Sequence, residues 1–181
     1  QDSYLGFTER GGGAIGEHSH GINFWQFLAR KIGVGKIQKV FASLDIVETN
    51  LIKYDRIAQL SVKTDKGFYG RIIQDVITKP SKKSARIQFS DGFIEWHCSS
   101  NHNLDQIIYS NKTGKSETIK FPKSRPDDFI RELKHIDKCI SKKIQKSDIS
   151  IEFGLETMAV IHTAINSNER NKELIVNHFK V

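Results

Sequence analysis

The stretch from Arg56 to Thr78, RIAQLSVKTDKGFYGRIIQDVIT, decides the fold. RIAQLSVKT and FYGRIIQDVIT read as strands, and the Asp65-Lys66-Gly67 between them is a hairpin signal, with Asp and Gly at the turn. The pattern repeats downstream. SARIQF and FIEWHC flank Ser90-Asp91-Gly92, and DQIIYS and SETIKF flank the segment Asn111–Lys115, NKTGK. Upstream, KIQKVFASLDIV alternates Val40, Ala42, Leu44 and Ile46 against mostly polar partners. Seven candidate strands therefore lie between residues 36 and 121, many joined by hairpins, and the sheet is expected to be mainly antiparallel.

Helical patterns lie on both sides of this run. From Gly21 to Ile32, Phe24, Phe27, Leu28 and Ile32 fall on one helical face with Trp25 beside it, and Gly33 and Gly35 supply a stop. After the strands, Pro126 stands where a first turn begins, and Asp127 and Asp128 suit the positive end of a helix dipole. Phe129, Leu133, Ile136 and Ile140 then recur on a stripe expected to be buried. A further helix is expected from about Ser150 to Ile165, with Leu155, Met158, Ile161, His162 and Ile165 along one side. The tail, ELIVNHFKV, reads as a closing strand. The expected architecture is α+β, one domain over residues 1–181: a large, mainly antiparallel open sheet with helices packed on one face.

Composition bounds the function. A chain of 181 residues buries a real core. It has no apolar run near the ~20 residues of a membrane span, and no signal segment is expected. Cys98 and Cys139 are the only cysteines, which argues against a disulfide framework and fits a reducing cytoplasm. The net charge of +7 raises nucleic acid as a partner, but the lysines are scattered (Lys79, Lys82 and Lys83; Lys142, Lys143 and Lys146) and lack interleaved aromatics. A solvated surface is the plainer reading, so neither nucleic acid nor membrane is expected as a partner.

The densest chemistry lies in ERGGGAIGEHSHGINFWQFLARKIG, Glu9 to Gly33, where Gly11, Gly12 and Gly13 precede Glu17, His18, Ser19 and His20. The plain readings are a flexible glycine turn, a helix-capping His20 and a Glu17 favoured by the helix dipole. Glu17, His18 and His20 also compose a metal-ligand set, but further ligands would have to come from elsewhere, and no metal is expected. Arg71 and Asp75 share a strand face with Tyr69 and Ile73 by alternation, as do Phe93, Glu95 and His97. Trp25 and Trp96 read as core rather than as stacking platforms.

The glycine triplet followed by Glu17, His20, Ile22 and Asn23 resembles the GGG-x-x-x-[DE]-x-x-H-x-I-D pattern of the C-terminal domain of the glucose–fructose oxidoreductase/inositol dehydrogenase (Gfo/Idh/MocA) family. Asn23 stands where that family usually has aspartate. DDFIRELKHIDKCISKK and DISIEFGLETMAVIHTAINSNERNKELIV are similar to later segments of the same domain, in the same order. The resemblance implies a cytoplasmic NAD(P)-dependent oxidoreductase acting on a sugar, nucleotide sugar or polyol. His20 would move the proton and Glu17 would orient the imidazole or bond a substrate hydroxyl. Gly13, His18 and Asn23 would lie on the substrate side, and Arg71 and Asp75 would serve the substrate or the subunit interface, or remain a solvated surface. It also implies a homodimer or homotetramer formed through the free sheet face. The family's G-x-G-x-x-G dinucleotide loop and its Glu-Lys-Pro are absent from these residues, so NAD or NADP is expected on a separate N-terminal domain. The alternative is a non-enzymatic scaffold that keeps the sheet for oligomerisation.

Overall fold

The structure is a computed structural model and describes residues 3–99, 103–144 and 147–179. The chain divides into two compact units, Gln1–Ile77 with Lys146–Val181, and Thr78–Gln145. The class is α+β and the pairing antiparallel, as the hairpin signals predict. The strands are shared between two four-stranded sheets rather than joined in one. β3 ends at Asp75: the Val76 amide still reaches the Arg56 carbonyl at 3.0 Å, and the Asp75 carboxylate then accepts the Ile77 amide at 3.0 Å. Lys79, Pro80, Ser81 and Lys82 follow, and proline has no amide hydrogen to donate to a ladder.

The first unit holds β1 (Ile37–Glu48), β2 (Lys53–Thr64), β3 (Tyr69–Asp75) and β8 (Leu174–Ile175), in the order β3-β2-β1-β8. The Asp65–Gly67 turn forms as expected: the Gly67 amide donates to the Thr64 carbonyl at 3.0 Å, with Gly67 at φ +86°. On one sheet face Val40, Ala42, Ala58, Leu60, Val62 and Ile72 are buried under α1 (Gly13–Glu17), α2 (His20–Ile32) and α4 (Ile151–Arg170). Trp25 packs on this core, and a Cβ at Gly70 would meet its ring at 2.5 Å.

Three expectations change here. The buried face of α2 is Ile22, Gln26 and Ala29, not the aromatic stripe, and Ile32 is exposed. Ala29 is small enough to be buried there, and Gln26 is satisfied by the Thr157 hydroxyl at 2.8 Å. On α4 the buried row is Ala159, Val160, Ile161, Thr163, Ala164 and Ser167, while Met158 and His162 face out. The closing strand is two residues long because α4 already occupies the β1 edge. Ser167 Oγ accepts the Ala42 amide at 3.0 Å and Asn168 Oδ1 accepts the Leu44 amide at 2.8 Å, so those edge groups have no need of a further strand.

The second unit holds β4 (Lys83–Phe89), β5 (Gly92–Cys98), β6 (Leu104–Asn111) and β7 (Ser116–Pro122) in sequential order, followed by α3 (Asp127–Ser141). Ser124 donates its amide and hydroxyl to Asp127, holding that carboxyl below the usual range. The Phe129, Leu133 and Ile140 stripe, expected to be buried, is 55%, 65% and 74% exposed, so α3 does not roof this sheet.

Candidate functional site

The glycine triplet is shaped by its neighbours. Gly13 opens α1 at φ +80°, and a Cβ there would overlap the Asp55 carboxylate. A Cβ at Gly12 would run into the Tyr4 and Leu5 carbonyl oxygens. The chain itself therefore fills the space beside Gly12 and Gly13, and buried Gly13 has no room for a ligand. Asp55, fully buried on β2, accepts the Ile15 amide at 2.7 Å and serves α1 as an N-terminal cap supplied from another strand. Burial pushes its carboxyl pKa up, partly countered by the Ile15 amide. Its other oxygen, Oδ1, is buried without a hydrogen-bond partner. From β3, Gln74 donates to the Ala14 carbonyl at 3.3 Å and accepts the Ile22 amide at 3.2 Å, bridging α1 to α2.

These anchors fix the elbow between α1 and α2, which carries Glu17, His18, Ser19 and His20. Glu17 Oε2 accepts the Tyr4 hydroxyl at 2.6 Å, and that bond raises the Tyr4 pKa. His18 is half-buried; His20, the first residue of α2, is exposed. Neither imidazole bonds another described side chain, so His20 is not a capping histidine and its ring is open to a ligand. Asn23 donates to Thr157 Oγ1 at 3.1 Å and ties α2 to α4, so its amide is already engaged.

The structure does not bring Arg71 and Asp75 to this elbow. They alternate with Ile72 and Gln74 on β3, and Gln74 is the residue that reaches the helices. Arg71 and Asp75 therefore lie on the opposite, uncovered face with Tyr69 and Ile73. In the second sheet Phe93, Glu95 and His97 do share a face: His97 Nε2 lies 3.3 Å from Glu95, which also accepts Arg86 at 2.7 Å and is thereby held below the usual carboxylate range. Among the described residues no group of three or more His, Cys, Asp or Glu is arranged to hold a metal ion. No helix of the described residues is long and apolar enough to cross a membrane.

The chain shares its fold with known oxidoreductases. It superposes on levoglucosan dehydrogenase with a TM-score of 0.78 at 14% identity, covering 98% of this chain and 55% of that one. Aldose-aldose oxidoreductase from Caulobacter crescentus, solved with glycerol, gives 0.75 at 14% identity, covering 92% and 48%. An Agrobacterium radiobacter oxidoreductase, solved with NAD+, L-tartaric acid and magnesium, gives 0.69 at 19% identity, covering 96% and 51%. The chain thus spans about half the length of these proteins. No protein-family model and no curated protein sequence matches it.

Asp55, Gln74 and Tyr4 hold the elbow and escaped the sequence reading. Ala58, Leu60, Val62 and Thr64 set an even-numbered inward row on β2, which would turn Asp55 outward. A register shift pairs Asp45 with Ile57 but Ile46 with Asp55, leaving Arg56 as the extra residue of a bulge. The bulge reverses the alternation and aims Asp55 inward.

Proposed function

We propose that this chain is the substrate-binding and oligomerisation domain of an NAD(P)-dependent oxidoreductase acting on a sugar, nucleotide sugar or polyol. The observation that carries the reading is the elbow, where an exposed, unengaged imidazole at His20 follows a carboxylate at Glu17 on a fold shared with sugar-acting oxidoreductases. A scaffold has no use for such a cluster held rigidly at its surface.

The start of α1 offers no place for the phosphates of a dinucleotide. The Ile15 amide at the start of α1, which an anion would seek, is already taken by Asp55, and a phosphate there would meet a buried carboxylate. NAD or NADP is assigned to a dinucleotide-binding domain outside these residues. Within the chain, His20 takes the proton from the substrate hydroxyl during oxidation and returns it in the reverse direction. Glu17 keeps Oε2 on Tyr4 and offers Oε1 to a neighbouring hydroxyl. His18 adds a donor or acceptor on the substrate side. A cytoplasmic location and assembly as a homodimer or homotetramer through a free sheet face belong to the same proposal.

Calorimetric titration of the chain with NAD and with NADP tests the division of labour. No binding is expected, and tight binding by the chain alone would contradict it. In the two-domain enzyme, His20→Ala is expected to cut turnover by about 10²–10⁴-fold, the range for a lost general base.

A further inference from the structure

Asn23 stands one turn after His20 on α2, and both residues are exposed. Positions three apart share a helix face, so the Asn23 amide lies on the same side of α2 as the imidazole. An amide has two unlike ends, a donor nitrogen and an acceptor oxygen, and its hydrogen-bond partners decide which end is left for a ligand. Here the decision is made on α4. Thr157 is 6% exposed, and its hydroxyl lies 2.8 Å from Gln26 Oε1 and 3.2 Å from the Phe153 carbonyl oxygen. The hydroxyl has one hydrogen, and these two acceptors claim it. What Thr157 Oγ1 has left is lone pairs, and the Nδ2 end of Asn23 meets them at 3.1 Å. Asn23 Oδ1 is the end left over, and no described group donates to it.

We propose that Thr157 is a positioning residue for the substrate site: it holds Asn23 Oδ1 outward as an acceptor beside His20, and so selects a substrate with a free hydroxyl next to the one that reacts. The inference deepens the proposed function. Its substrate part rests on that reading, whereas the orientation of the amide does not. Glu17 Oε1 is a second free acceptor at the elbow, since Oε2 is engaged by Tyr4. Two acceptors flanking the imidazole suit a neutral vicinal diol, whose hydroxyls have hydrogens to give. A carboxylate, phosphate or ether at the neighbouring carbon has none.

The same hydrogen accounting excludes aspartate at position 23. A carboxylate would either face the Thr157 lone pairs with nothing to donate or draw the hydroxyl hydrogen away from Gln26. Gln26 is 4% exposed, so its oxygen would be left buried without a donor.

One test uses the 181-residue chain and needs no substrate. Thermal unfolding should place Asn23→Asp roughly 3–9 °C below wild type, the loss expected for a buried polar group deprived of its partner. In a Thr157→Val background, which removes the hydroxyl, the same replacement should shift the transition by less than about 2 °C. In the NMR spectrum the Asn23 side-chain amide signals should move on Thr157→Val and return on Thr157→Ser, which restores the hydroxyl. An Asn23→Asp chain as stable as wild type means that Thr157 donates to position 23, and overturns the orientation. An amide signal that ignores Thr157→Val overturns the positioning role.

The other test is kcat/KM of the proposed two-domain enzyme for glucose, 2-deoxyglucose and 2-deoxy-2-fluoroglucose, whose fluorine accepts weakly and cannot donate. Wild type should prefer glucose over both analogues by about tenfold more than Asn23→Ala does, the worth of one hydrogen bond. Thr157→Val should lose that preference and Thr157→Ser should recover it. Equal preferences in wild type and Asn23→Ala overturn the selection of a diol and leave the amide orientation intact. A fluoro sugar as good as glucose, with the deoxy sugar poor, puts the nitrogen outward and overturns the orientation. No turnover of any of the three counts against the proposed function itself, while the amide orientation still stands or falls by the unfolding and NMR measurements.

Discussion

Gly13→Ala probes the anchor on which the elbow depends. Gly13 sits at φ +80°, and a residue with a Cβ costs about 1–2 kcal/mol in the left-handed region. The new methyl would also occupy the position of the Asp55 carboxylate, which is fully buried. To make room, that carboxylate must leave the Ile15 amide it holds at 2.7 Å, and a buried donor left unpaired costs about 1–3 kcal/mol. The sum, about 2–5 kcal/mol, lowers the melting temperature by about 3 °C for each kcal/mol in a chain of this size. Gly11→Ala is the matched control: it has φ +84° but nothing within 4 Å of its Cβ, so it suffers the backbone cost alone. Thermal unfolding followed by circular dichroism should rank the variants wild type, Gly11→Ala, Gly13→Ala in decreasing stability. The same excess penalty should largely vanish in an Asp55→Ala background, since the overlapping group is gone. Equal melting temperatures for the two glycine variants, or a penalty that persists without Asp55, would refute the contact as the cause.

Asp55 also predicts a pH dependence. Its folded pKa lies above the unfolded value, so its stabilising contribution is full below the unfolded carboxylate pKa of about 4 and is lost as pH rises to the folded pKa. Chemical denaturation should show the stability of wild type minus that of Asp55→Asn falling with rising pH in that window; a flat or rising difference contradicts the burial argument. Glu156→Gln removes the partner of Arg30 at 3.3 Å and of Lys36 at 2.5 Å and should cost about 1–3 kcal/mol, read from urea unfolding, since Arg30 is mostly buried. Gly70→Ala presses a methyl into the Trp25 ring and should cost about 1–3 kcal/mol, with a red shift of tryptophan emission; an unshifted spectrum contradicts the packing.

Much of this architecture is legible in the sequence, and its gaps have physical causes. Hairpins declare themselves through local turn chemistry, so Asp65–Gly67, Ser90–Gly92 and Asn111–Lys115 all join adjacent antiparallel strands. The division into two sheets is harder to see, because it depends on a ladder that fails to continue past Asp75. Apolar periodicity misjudged α2, α3 and α4 for related reasons. Gln26 and Thr157 are buried because they satisfy each other, while Leu133 and Ile140 stay exposed because nothing in their unit covers them. At the site, Glu17, His18 and His20 are contiguous in sequence and remain together in space. Asp55 and Gln74 come from distant strands, and a bulge at Arg56 reverses the alternation that would have placed Asp55. Arg71 and Asp75 were grouped correctly with each other, and the structure puts them on the face away from the elbow, since a strand gives its two faces to different surroundings.

The most direct measurement is kcat/KM for polyol oxidation by the proposed two-domain enzyme, wild type beside His20→Ala and His20→Gln. Both variants should lose about 10²–10⁴-fold in kcat/KM, since neither side chain can take the substrate's proton, while keeping the wild-type melting temperature. A variant that retains the wild-type rate would take proton transfer away from His20 and with it the enzymatic reading of the elbow.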